Sequence, residues 1–169
     1  MLRAMALALD DRDIRILAVL SREGRLSKTD LARRVNLSAT PCAERLRRLE
    51  KAGLIRGYGA RIDVGRLGPS VTVFVMVELD AHKAASFQRF ERAVAQLPEV
   101  TGCWALGGGY DYLLRVVTPD VDAYQRLIDR LLEGQAGLRR YYSYIVTKEI
   151  RDLPPPVEAL FGETGREKP

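Results

Sequence analysis

Apolar positions in this chain keep a helical period as far as residue 53 and change to strand-like runs near residue 71. Ile14, Leu17, Ala18 and Leu20 form one face of a first helix, with Asp10 as its cap and Gly24 at its end. Leu31, Ala32 and Val35 repeat the pattern in a second helix. Ser27 is its cap and Asp30 completes a capping box. The triplet Asn36-Leu37-Ser38 interrupts it. Cys42, Leu46 and Leu49 then line a third helix, capped by Ser38, with Pro41 in its first turn and Gly53 at the left-handed position after it. Residues 54–56 and 58–62, on either side of Gly57, predict a small two-stranded wing.

The glycines and proline of DVGRLGPS (63–70) mark a linker. Beyond it the order is strand, helix, strand, strand, helix, strand. VTVFVMVEL (71–79) is the first strand, and Phe87, Phe90 and Val94 give a helix over 83–96. Strands over 100–106 and 110–117 flank a glycine turn, a helix with Val121, Tyr124, Leu127, Ile128 and Leu131 spans 121–132, and a long last strand covers 138–150. Such a βαββαβ order folds as an antiparallel sheet with both helices on one face. The first strand is apolar on both sides, so the other face calls for a second copy of the chain. The class is therefore α+β, a winged helix-turn-helix domain (1–62), a linker (63–70), a ferredoxin-like second domain (71–152) and an extended C-terminal arm (153–169).

Charge divides at the same boundary. Residues 1–62 carry 14 basic and 7 acidic side chains (+7), and the rest 13 and 15 (−2). A basic module joined to a slightly acidic one fits nucleic-acid binding coupled to another task, and no basic amphipathic helix with exposed aromatics points to a membrane surface. Cys42 and Cys103 have no partner at metal-ligand or CxxC spacing, so neither a disulfide framework nor a metal site is expected. The opening MLRAMALALDD is too short and too soon acidic for a signal peptide, and no apolar run is long enough to span a bilayer, which points to a cytoplasmic protein.

The third helix carries the chemistry of the basic half. Thr40, Glu44, Arg47 and Lys51 project away from its apolar stripe, and Arg45 and Arg48 lie on the flank. Small polar residues in the first turn suit base edges in a major groove, and arginines behind them suit phosphates or guanine. A basic helix alone is more often a solvated face; the capped helix and short turn before it favour a DNA-reading unit. Arg56 and Arg61 in the wing either touch the DNA backbone or are merely solvated.

The stretches LSATPCAERLRRLEKAGLIRGYGARID and GCWALGGGYDYLLRV, at this separation, resemble the Lrp/AsnC family of bacterial transcription regulators over residues 9–150. The resemblance implies a transcription regulator that binds double-stranded DNA. It also implies dimers assembled into octamers or similar rings, and a small amino-acid effector with no other cofactor. The family's DNA-contacting helix falls on Ser38, Thr40, Pro41, Arg45, Arg47 and Arg48, and its sensing loop on Gly107, Gly108, Gly109, Tyr110 and Asp111. The residue before the loop aromatic is often acidic in the family and is Gly109 here; three glycines in a row suit a backbone cradle, in which main-chain amides approach a ligand carboxylate closely.

Alternatives accompany the remaining residues. The glycines also suit a plain hairpin turn. Asp111 accepts backbone amides at a turn or meets a ligand ammonium, since a carboxylate buried without a partner is costly. Trp104, Tyr141, Tyr142 and Tyr144 belong to core or interface more readily than to a ligand pocket. Cys42 reads as a small buried hydrophobe, and His82 as a solvated turn residue. The rival function is an enzyme resembling haem-pathway decarboxylases of the same fold. A single histidine and an acidic C-terminal half argue against it, and no catalytic residue is assigned.

Overall fold

A computed structural model describes residues 8–134 and 136–162; the expectations for 1–7 and 163–169 lie outside the described residues. Asp10 opens α1 (Asp11–Arg22) with a reciprocal capping box. The Asp13 amide donates to Asp10 at 3.0 Å and the Asp10 amide to Asp13 at 3.2 Å. Helix α2 (Lys28–Arg34) starts at Ser27, whose hydroxyl accepts the Asp30 amide at 3.0 Å. The second half of the expected box differs, because the Ser27 hydroxyl itself donates to the Asp30 carboxylate at 2.6 Å. Asn36 then takes φ 54°, which asparagine tolerates, and the Leu37 amide closes back on Ala32 O at 2.9 Å.

Helix α3 (Ala39–Lys51) begins after Ser38, but the Ser38 side chain makes no capping bond. The reason is covalent. An N-cap oxygen accepts from the second or third helical amide, and the third position is Pro41, which has none. Gly53 at φ 71° ends the helix and lets the Leu54 amide reach Leu49 O at 3.1 Å. Ile16, Leu31, Ala32, Val35, Cys42, Leu46 and Leu49 form the core of the three helices. Ile16 had not been expected there; the helix is apolar on more than one side.

The expected wing strands do not form. Residues 54–56 and 58–62 contain no strand, and Tyr58 instead donates to Glu50 at 2.7 Å. A single residue, Gly57, separates the two segments, and the shortest common hairpin loop needs two.

In the second unit, β1 (Val71–Leu79), α4 (Ala84–Ala95), β2 (Val100–Ala105), β3 (Tyr112–Thr118), α5 (Val121–Glu133) and β4 (Leu138–Ile145) form the expected βαββαβ order. The sheet runs β2-β3-β1-β4, antiparallel throughout. Val73, Val75, Val77 and Leu79 alternate inward and pack with Leu114 and Val116 under Phe90 and Val94 of α4 and Leu127, Ile128 and Leu131 of α5. Phe74 and Met76 therefore face the side without helices. On that side Tyr142 and Tyr144 are exposed. Strand β4 stops at Ile145, short of the expected residue 150, because pairing ends where β1 begins: Ile145 sits opposite Val73, and the Val146 amide takes Thr72 O at 2.9 Å.

Among the described residues two compact units result: one within 63–150, and one of 8–62 together with 151–162. The arm expected to be extended contains a helical turn, α6 (Val157–Phe161), which packs on α1.

Candidate DNA interface and glycine loop

Helix α3 buries Cys42, Leu46 and Leu49, and this anchors its opposite face outward. Ser38, Thr40, Pro41, Glu44, Arg47 and Lys51 are exposed along it. Arg45 and Arg48 turn back instead. The Arg45 guanidinium donates to Asp13 at 2.8 Å and also pairs with Asp10, while Arg48 pairs with the second Asp13 oxygen. The Asp13 side chain is 0% exposed, against 23% for Arg45 and 44% for Arg48. A wholly buried carboxylate is tenable because charged donors and the Asp10 amide saturate it. The bonds to Asp13 and Asp10 raise the pKa of Arg45. Burial opposes ionisation of Asp10, yet the Asp13 amide and Arg45 outweigh it and hold its pKa below the usual carboxylate value.

The loop between β2 and β3 is closed by Asp111 through three backbone-linked bonds. The Leu106 amide donates to Asp111 O at 2.9 Å, the Asp111 amide to Val77 O at 2.9 Å, and the Leu79 amide to Asp111 Oδ2 at 2.7 Å. His82 Nε2 lies 3.0 Å from the other oxygen, Oδ1; the carboxylate is 13% exposed and the histidine 66%. Gly107, Gly108 and Gly109 are exposed, none has a positive φ, and a Cβ at any of them would meet nothing within 4 Å. The loop's own fold does not demand glycine there. Tyr110 sets its ring edge-on to Tyr142 at 5.7 Å. Trp104 folds back along β2, and its ring lies where a Cβ on Gly102 would be, as close as 2.3 Å.

Beneath β2 a cavity of about 450 Å³ is lined by Glu91, Val94, Leu97, Cys103 and Tyr112. Tyr112 donates to Glu91 at 2.7 Å, and burial followed by that carboxylate raises its pKa. Among the described residues no group of three or more His, Cys, Asp or Glu side chains could hold a metal ion, and no helix is long and apolar enough to cross a membrane.

Two side chains escaped the sequence reading. Asp13 was not singled out at all, and only the arginines of α3, more than thirty residues away, explain its burial. His82 looked solvated and is exposed, but it faces Asp111. Periodicity carries no signal for either pairing.

Residues 72–156 match the Lrp/AsnC ligand binding domain, and residues 9–56 match a winged helix-turn-helix DNA-binding domain. The transcriptional regulatory protein DoeX of Halomonas elongata is 52% identical over 143 residues, 85% of this chain and 90% of that protein. The chain belongs to the Lrp/AsnC family. It is thus a DNA-binding transcription regulator with a ligand-binding domain. The leucine-responsive regulatory protein of Escherichia coli is 39% identical over 85% of this chain and 87% of its own length. A solved structure, a Neisseria meningitidis transcriptional regulator in complex with L-Met, superposes with TM-score 0.78 at 35% identity, covering 86% of this chain and 94% of that one.

Proposed function

We propose that this regulator reads duplex DNA with the outward face of α3 and that a small amino acid held at the glycine loop alters its assembly or its grip on DNA. Ser38, Thr40 and Pro41 present the first turn to base edges, and Arg47 supplies a guanidinium for a phosphate or a guanine. Arg45 and Arg48 act mainly by bracing the helix, and Arg48 keeps enough exposure to touch a phosphate as well. The observation that carries the reading is the division of labour on α3: two arginines are tied to buried Asp13 while Thr40, Arg47 and Lys51 stay exposed.

The effector half rests on Gly107, Gly108, Gly109, Tyr110 and Asp111. Glycines that the loop's own fold does not require leave its main-chain amides open to a carboxylate, and Asp111 supplies the negative partner for an ammonium. Support comes from the relatives, one named leucine-responsive and one solved with L-Met. Assembly follows from the open sheet face, where Phe74, Met76, Tyr142 and Tyr144 leave apolar surface that a second copy covers. A dimer also doubles the base pairs read, and rings of dimers bring further loops together. The protein works in the cytoplasm as a regulator and needs no cofactor beyond the effector.

Thermal unfolding with each common amino acid, followed by DNA binding in its presence, tests this. A ligand that binds the native state raises the midpoint with concentration. The same compound must shift DNA affinity or assembly. No stabilisation by any amino acid contradicts the effector half of the reading.

A further inference from the structure

Asp111 has two carboxylate oxygens with unlike neighbours. Oδ2 is held by the Leu79 amide, a main-chain donor fixed at the end of β1. Oδ1 faces His82, a side chain on the short turn between β1 and α4. We infer that His82 keeps the place of the effector's ammonium group, so that an α-amino acid enters the glycine loop by displacing this imidazole from Asp111. The inference rests on the amino-acid reading above and adds a residue outside the loop to the site.

The geometry favours exchange at Oδ1 alone. Removing the Leu79 amide from Oδ2 requires movement of a strand that is paired on both sides, whereas the imidazole swings on its own side-chain torsions into solvent. Its ring contact is a tilted one with Phe87, at 6.2 Å between centroids, and the imidazole itself is 66% exposed, so little besides Oδ1 holds it in place. The carboxylate is largely buried, so Oδ1 needs a donor in either state. An imidazole without effector and an ammonium with it satisfy the same oxygen in turn.

The surrounding charges leave that role to His82. Arg89 of α4 pairs with Asp80 at 3.9 Å, and Glu91 of α4 is engaged by the Tyr112 hydroxyl at 2.7 Å. Lys83, next in the chain, stands at the cap of α4. The exchange also carries a signal. His82 links the loop to the β1–α4 turn, and an amino acid that takes Oδ1 cuts that link.

The test compares wild type, His82→Ala and His82→Lys by calorimetric titration with L-Met and L-Leu, and with the des-amino acid of each. Removing the competitor in His82→Ala should tighten amino-acid binding by about 2- to 5-fold, the loss of one modest side-chain hydrogen bond that the ligand otherwise has to displace. A tethered ammonium in His82→Lys should weaken it. The des-amino acids, which have nothing to place at Oδ1, should not follow either trend. If His82 simply props the loop, His82→Ala will weaken amino-acid and des-amino binding alike, and the inference fails. It fails too if wild type binds but the variants match it. Absence of amino-acid binding by wild type overturns the function reading itself, and that outcome is distinct because wild type alone reveals it.

Discussion

Arg45 of α3 donates to Asp13 of α1 at 2.8 Å, and Asp13 is wholly buried. The contact joins α3, the helix proposed to face DNA, to the helix that packs beside it. With Arg48 on the second oxygen, the carboxylate fixes both the rotation and the axial position of α3, while the stripe of Cys42, Leu46 and Leu49 supplies the adhesion. Hydrophobic packing tolerates small slides; a two-pronged ion pair does not.

Asp13→Ala should therefore cost on the order of 3 kcal/mol in urea unfolding, because it leaves Arg48 without its carboxylate and Arg45 with Asp10 alone at a partly buried seam. Arg45→Ala and Arg48→Ala should each cost less, since the other arginine still meets Asp13, and the double variant should exceed their sum. A loss below about 0.5 kcal/mol for Asp13→Ala, within the scatter of ordinary surface changes, refutes the brace.

The same seam gives an acid limit. Asp10 has a folded pKa below its ordinary value of 3.8, so its ionised form favours the native state. Its contribution is complete above the unfolded value and is lost as pH falls through the folded one. Acid titration followed by circular dichroism should lose helix at a higher pH in Asp10→Asn than in wild type, and coincident curves would remove Asp10 from the account.

Much of this fold was legible because burial leaves a period. The spacing Cys42, Leu46, Leu49 marked the inward face of α3, whereas the strand over 71–79, apolar on both sides, did not tell that Val73, Val75, Val77 and Leu79 would be the set that meets the helices. What escaped depended on partners. The length of β4 is set by where β1 begins, and α6 forms beside α1, which sequence spacing cannot reveal. The missing Ser38 cap bond and the missing wing ladder were legible in principle. Pro41 has no amide to offer Ser38, and Gly57 alone cannot turn a hairpin. For the site, the outward face of α3 could be read from spacing, whereas the Asp13 brace and the His82 contact required the folded chain.

The two sides of β1 should respond differently to charge. Val75 is fully buried under the helices, so Val75→Asp should unfold the second unit. Met76 faces the open side between Leu113 and Tyr142, so Met76→Asp should keep the circular dichroism spectrum and reduce the mass seen by light scattering. A folded Met76→Asp variant of unchanged mass means that this face is not the interface.

The most direct measurement of the central claim is the salt dependence of binding to a duplex selected from a random pool, for wild type, Thr40→Ala and Arg47→Ala. Arg47→Ala should weaken binding and flatten the slope of log K against log salt by about one unit if it neutralises one phosphate. Thr40→Ala should leave the slope alone and alter which sequences are selected. If both variants keep the wild-type affinity, slope and sequence preference, the exposed face of α3 is not what reads DNA.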